Sequence, residues 1–357
     1  MKKALKWIGT ALLAEILLIA IYLGFVLPQD DKTEQEMIDE MIELLGDKMM
    51  KDYAAGDTKR DAHPKSLGLA TGYFTVDSML DTDLEQGVFV PGKSYPALLR
   101  FSNASGTVQS DAKADFRGLG LKLISVEGAR FDSMETASQD FVLMSNPTMP
   151  LGTVELFHDA VYYSVKYNKL VLLAKMLLNG NMDVLNQLKE GAKHDSSPLD
   201  ITYWSTTPYA LGEGAVKYRL VPTSKRQSEL PDPLTENYLS ENMAQHLATD
   251  SASFDFYVQN FRDSTATPIE DAAVEWDTPF IKIGTLTLAP QQVDTPARRE
   301  LAEQLYFSPS NALEIHRPLG GLNLARAQIY GALSLLRHKR NQRPLVEGTR
   351  AMFDSIQ

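Results

Sequence analysis

Six stretches of this chain alternate apolar and polar residues with a period of two: GYFTVDSML (72–80), YPALLRFSN (95–103), RGLGLKLIS (117–125), AVKYRLVP (215–222), SFDFYVQNF (253–261) and FIKIGTLTL (280–288). That period sends successive side chains to opposite faces of an extended segment, so each stretch predicts an antiparallel strand with one buried face. In the fourth, Val216, Tyr218 and Leu220 oppose Lys217 and Arg219. Six such strands, interrupted by a helical pattern over residues 153 to about 190, predict an α+β fold. Its centre is a closed or nearly closed antiparallel barrel with attached helices. No internal repeat or low-complexity linker divides the chain.

Composition narrows the chemistry. With 357 residues, 44% of them hydrophobic, the chain is long enough for a large core. A net charge of −11 repels phosphate backbones, which argues against a nucleic-acid partner. There is no cysteine, so disulfides, thiolate-held metals and a cysteine nucleophile are excluded. The six histidines include no pair at i, i+4 and no HExxH, which argues against a hydrolytic zinc site.

The first 28 residues differ in kind. Lys2, Lys3 and Lys6 precede an apolar run over 7–27, broken only by the carboxylate of Glu15. A bilayer core takes roughly 20 apolar residues, so residues 1–28 are expected to form a single uncleaved transmembrane anchor; a cleaved signal peptide is the competing reading. Lysines on the amino side place that end inside and the body outside, which is periplasmic in a bacterium. Residues 29–57 follow as an amphipathic arm, with Met37, Ile38, Met41, Ile42, Leu45 and Met49 at helical spacing, lying on the body or on the membrane. The barrel region spans 58–341, and a basic tail, 342–357, is expected to fray.

The last long helix is predicted over residues 323 to about 338. At about 100° per residue, Arg326, Tyr330 and Arg337 fall within about 40° of one another, with Leu333 beside them. Taken alone, such a stripe reads as a solvated basic face. A sharper reading follows from the phenol, whose pKa is near 10 and which a guanidinium one turn away pulls towards phenolate. Phenolate is a hard donor to ferric iron, and tyrosine oxygen is a known axial haem ligand; Arg337 is then placed to pair with a haem propionate.

Upstream, RDAH sets Arg60 three residues before His63. A near-neutral histidine can take a proton from a bound peroxide and return it to the leaving oxygen, although a lone histidine before a strand is commonly structural. Arg100 and Ser102 share one strand face, and Gly118 and Gly120 imply close approach by a flat group or a neighbouring backbone, or a bent barrel strand.

Taken in order, these segments resemble the catalase superfamily, in the compact branch described as catalase-related haem peroxidases, over residues 58–341. RDAH with KSLGLATGYFTV is similar to the family's distal-histidine segment, holding one extra residue between the histidine and GYF. RFSNASG and DFRGLGLKL are similar to the haem-lining strands. YWSTTPYALGEGAVKYRLVP and DFYVQNF to FIKIGTLTL resemble later barrel strands, and HRPLGGLNLARAQIY resembles the proximal helix. The resemblance implies a catalase-like barrel carrying haem b, with His63 as acid–base, Ser102 as its hydrogen-bond partner and Tyr330 as iron ligand. It places Arg60, Arg100 and Arg337 on propionates and Arg326 beside the tyrosine. Where the family has D-[LF]-V-G-N, this chain reads DFVLMSNPTMP, so Asn146 is an offset candidate for the asparagine that holds peroxide. The implied activity consumes hydrogen peroxide or an organic hydroperoxide, with an electron donor and an oligomeric state that the sequence leaves open. Rearrangement of fatty-acid hydroperoxides on the same fold and a non-enzymatic haem-binding barrel are the rival expectations.

Overall fold

The computed structural model describes residues 32–132 and 134–357. The expected anchor lies outside the described residues, and among those described no helix is long and apolar enough to cross a membrane.

Nine strands form one antiparallel sheet: β1 (Ser66–Val76), β2 (Ser94–Asn103), β3 (Arg117–Ile124), β4 (Ser138–Met144), β5 (Tyr203–Trp204), β6 (Tyr209–Leu211), β7 (Gly214–Pro222), β8 (Ala252–Asn260) and β9 (Phe280–Leu288). β1 pairs with both β2 and β9, and at the other side the short β5 bridges β4 to β7. Those pairings close an eight-stranded barrel, with β6 folded back on β7 as a hairpin. Closure removes the free edges that an open sheet would expose. The interior is aromatic: Phe141 packs edge-on against Tyr218 and Phe256 at ring separations of 4.9 and 5.0 Å.

The six strands expected from alternation are all present, and β1 begins six residues earlier than its apolar pattern. Between His63 and GYF the strand carries a β-bulge, where the β1–β2 register shifts between Ser66 and Gly68.

Helices pack outside the barrel. The arm is α1 (Glu34–Asp52), opened by a capping box in which Thr33 and Glu36 exchange hydrogen bonds. It lies on the body, burying Met37, Ile38, Met41, Leu44 and Met49 against α2 (Val154–Lys166) and the long C-terminal helix. The helical insertion resolves into α2, α3 (Lys169–Leu178) and α4 (Met182–Gly191). After α5 (Tyr238–Leu247) and α6 (Pro296–Gln304) comes α7 (Gly321–Asn341), two to three residues longer at each end than expected.

The tail does not fray. Helix α8 (Arg350–Ser355) buries Phe353, whose ring meets that of Tyr73 edge-on at 5.3 Å. The Glu347 carboxylate accepts from the backbone N–H groups of Thr136 and Ala137 at 2.7 and 2.8 Å. Basic residues suggested solvation, but one aromatic anchor and one carboxylate cap suffice to dock the segment.

Candidate active site

The site grows from the loop before β1. His63 has φ of 57°, the left-handed region that non-glycine residues rarely adopt. Its conformation is over-determined. The carbonyl accepts from Arg100 Nη2 at 2.9 Å, and Nδ1 lies 3.1 Å from Ser102 Oγ. The imidazole rests on Gly118, where an added Cβ would come within 2.5 Å of the ring; Phe307 covers Gly120 in the same way at 2.7 Å. The flat groups that these strand glycines admit are thus the chain's own rings.

Ser102 Oγ donates to the Gly118 carbonyl at 3.4 Å, leaving its lone pairs to accept from Nδ1–H. That arrangement selects the tautomer whose Nε2 is free to take a proton. Burial, reinforced by the charges of Arg100 and Arg326, pushes the imidazole down to about 3, so it is neutral at ordinary pH.

Helix α7 supplies the facing groups. Tyr330, Leu333, Ser334 and Arg337 line the same cavity as His63. Arg326 is buried beside the tyrosine, its Cζ 5.7 Å from the phenol ring centroid, and Nη1 donates to Thr207 Oγ1 at 2.7 Å. Burial opposes the charge on Arg326, but the neighbouring oxygens of Tyr330 and Tyr209 hold its pKa above the ordinary value. Tyr306 also lines the cavity, and burial pushes its phenol up to about 12.

Arg60, Arg100 and Arg337 converge on Glu303, at 3.1, 3.8 and 3.6 Å from its carboxylate oxygens. Arg60 also donates to the carbonyls of Ala302 and Leu305, and Arg337 to that of Glu303. Burial would raise the Glu303 carboxyl, but the three guanidinium charges overcome it and pull it down to about 2. Burial and the repulsion of Arg60 push Arg100 down to about 9. Glu303 thus faces three guanidinium groups, with Asp61 lining the same cavity. Arg100 Nε and Ser334 Oγ are buried without a hydrogen-bond partner.

These observations test the expected cofactor. Haem carries two propionates, which an arginine-rich wall suits, and a phenol is a known haem-iron ligand. The donor set and the cavity therefore fit haem. Among the described residues, no cluster of histidine, aspartate and glutamate could hold a bare metal ion instead.

Seven of the eight residues named from sequence come together here: Arg60, His63, Arg100, Ser102, Tyr330 and Arg337 line the cavity, and Arg326 backs Tyr330. Asn146 is not brought to the cavity. Its amide donates to the Thr148 carbonyl at 2.8 Å, and its segment offers only Val142 and Leu143 to the wall. Glu303 and Asp61 escaped the sequence reading. Three arginines assigned to two propionates was the available signal that a buried carboxylate had to lie among them.

An eight-stranded antiparallel barrel with external helices holds a histidine and a tyrosine in one cavity beside an arginine cluster, and comparison gives this fold a likeness. No family model matches the chain. A catalase-related peroxidase of Mycolicibacterium paratuberculosis is 25% identical over 244 residues, 64% of this chain and 74% of the relative. Among solved structures, a fungal catalase superposes with a TM-score of 0.64 at 18% identity, covering 80% of this chain and 61% of its own. Catalase A from Saccharomyces cerevisiae gives 0.63 at 17%, covering 80% and 63%, and a bacterial catalase gives 0.61 at 17%, covering 91% and 66%. The chain thus has the catalase fold, and it spans less than two thirds of each of these solved catalases.

Proposed function

We propose that this chain is a haem-dependent oxidoreductase that consumes hydrogen peroxide or an organic hydroperoxide, with haem b held between His63 and Tyr330. The observation that carries the reading is the pairing, in one cavity, of a neutral imidazole and a phenol beside a cluster of three arginines. The similarity to a catalase-related peroxidase supports it. Haem, when bound, supplies the iron at which the O–O bond breaks and the two oxidising equivalents are held.

The chain's own residues do the rest. His63 Nε2 takes the proton from the peroxide's inner oxygen and delivers it to the outer one, which leaves as water or an alcohol. Ser102 fixes the ring for both transfers. Arg60, Arg100 and Arg337 pair with the propionates, and Glu303 limits the repulsion among them. Val142 and Leu143, just before position 144 where the family's pattern sets its asparagine, make that wall apolar, which favours an organic hydroperoxide and an organic donor over dismutation of hydrogen peroxide. The apolar run over residues 7–27 is proposed to tether this activity to a membrane, the catalytic body lying on the periplasmic or outer side.

The test is His63→Ala in the haem-loaded protein. Haem content should persist while donor oxidation by peroxide falls roughly 10²- to 10⁴-fold, the usual worth of a positioned general base; full activity in the variant would overturn the assignment.

The low histidine pKa also sets the pH profile. Because the imidazole stays neutral until pH approaches about 3, peroxide consumption should be flat from neutrality down to about pH 4 and fall below it. The same group costs stability in acid: its folded value lies below the unfolded value of about 6.5, so stability present above that pH is progressively lost towards 3. Activity against pH, with a parallel melting series, checks both.

A further inference from the structure

Helices α1 to α4 line a second, partly open chamber of about 280 Å³. Phe157, Val161, Leu172, Met176 and Leu188 are among its walls, and its polar lining is limited to Lys48, Ser164 and Asp61. Asp61 also lines the cavity that holds His63, so the two spaces adjoin at a residue two positions from the proposed base. Burial raises the Asp61 carboxyl towards its neutral form, which makes that junction a small barrier to an apolar chain.

The outer side of α3 and of the turns that flank it is apolar as well. Tyr167, Leu170, Leu177, Leu178 and Met182 are each 37 to 48% exposed. From residue 166 to 182 the sequence holds three lysines and no carboxylate, within a chain of net charge −11. A helix apolar on both faces belongs in an apolar medium, and the exposed Lys166 and Lys169 beside it complement anionic lipid, while Lys175 reaches Asp159 at 4.0 Å.

We propose that the hydroperoxide is a long-chain acyl hydroperoxide taken from a lipid surface at the α3–α4 tip, its hydrocarbon tail lying in the chamber and its –OOH group reaching His63 past Asp61. This rests on the peroxide-consuming reading of the site. The O–O bond breaks, an organic donor gives two electrons, and two protons are taken up, leaving an acyl alcohol and water.

The experiment uses the full-length, haem-loaded protein in nanodiscs containing phosphatidylglycerol. Doxyl-stearic acid is the binding probe. The substrates are hydrogen peroxide, linoleic acid hydroperoxide free in solution, and a phospholipid hydroperoxide in the bilayer. Ala160→Trp, which fills the chamber, and Ser164→Trp, at an exposed position on its wall where folding is least at risk, should release the immobilised stearate. Both should lower kcat/KM for the two long-chain substrates by at least about tenfold, since single methylenes in apolar pockets already count for that much, and leave hydrogen peroxide turnover unchanged. Leu177→Asp with Leu178→Asp should slow only the bilayer substrate. If the tryptophan variants bind stearate and turn over acyl hydroperoxide as the parent does, the chamber is not the tail site; if the aspartates leave the bilayer substrate unaffected, the lipid-surface source is wrong. Absence of turnover with every peroxide in the haem-loaded parent would instead sink the reading of the site itself.

Discussion

Tyr330→Phe should yield a folded barrel that has lost its iron ligand, with the ferric tyrosinate absorption gone and peroxide consumption reduced more than about 100-fold, beyond the loss that outer partners of metal ligands alone produce. Two phenols line the cavity, and their surroundings separate them. Tyr306 is discouraged from ionising, since burial pushes it up to about 12, and its neighbours Ser308 and Ser310 only partly offset that. Tyr330 has a guanidinium beside its ring, and Arg326 is itself held by Thr207 and Asn323. Tyr306→Phe is therefore the control: it should retain the tyrosinate spectrum. Phenylalanine fills nearly the same volume as tyrosine, so the Tyr330 variant should melt close to the parent when both lack cofactor. Loss of the spectrum in Tyr306→Phe and its retention in Tyr330→Phe would reverse the assignment and relocate the iron.

What could be read from the chain depended on whether a residue's partner lay near it in pattern. Arg326, Tyr330 and Arg337 share one helical face, so periodicity alone assembled them. Alternation made all six strands visible, although β2 and β3 turn out buried on both faces. β4 was not, because Ser138, Gln139 and Asp140 are polar and yet buried on successive faces of the strand. Their partners lie far away: the Gln139 side chain accepts from Leu313 N at 2.8 Å and Asp140 from Ser308 N at 3.0 Å. β5 and β6, of two and three residues, are too short for any period to register. Asn146 failed for the opposite reason. Its nearness to the family's D-[LF]-V-G-N pattern was legible, but its amide bonds two residues ahead to Thr148, a local contact that only the turn geometry decides. Glu303 sits on a helix, α6, whose pattern carries no sign of the arginines it meets from three other parts of the chain.

Lys122 shows the same limit with the largest energetic consequence. Alternation in RGLGLKLIS assigns it to the solvent side, yet it is fully buried. The docked tail covers it so closely that a Cβ on Gly348 would lie 2.6 Å from its stem. Its ammonium pairs with Glu135 at 2.8 Å and Asp140 at 2.7 Å, beneath the ring of Phe307. Asp140 in turn fixes the Ser308 N–H and, through its own N–H, the Asn311 carbonyl at 2.8 Å, so this triad anchors the segment that sends Tyr306 and Phe307 into the cavity. Lys122→Met keeps the stem and removes the charge, leaving two carboxylates buried together. Breaking a buried pair in this way costs roughly 3–5 kcal/mol, to be read as a lower denaturant midpoint. The sign of its pH dependence is fixed. Burial, with the Glu135 charge, already pushes Asp140 up to about 7 against the pull of Lys122, and without the lysine it rises further. A folded value above the unfolded one stabilises at low pH and loses that contribution as pH rises, so the variant's deficit should be larger at pH 8 than at pH 5. Asp140→Asn added to Lys122→Met should recover part of the loss at pH 8. A deficit independent of pH, or no recovery in the double variant, would show that the lysine acts through packing of its stem rather than through its charge.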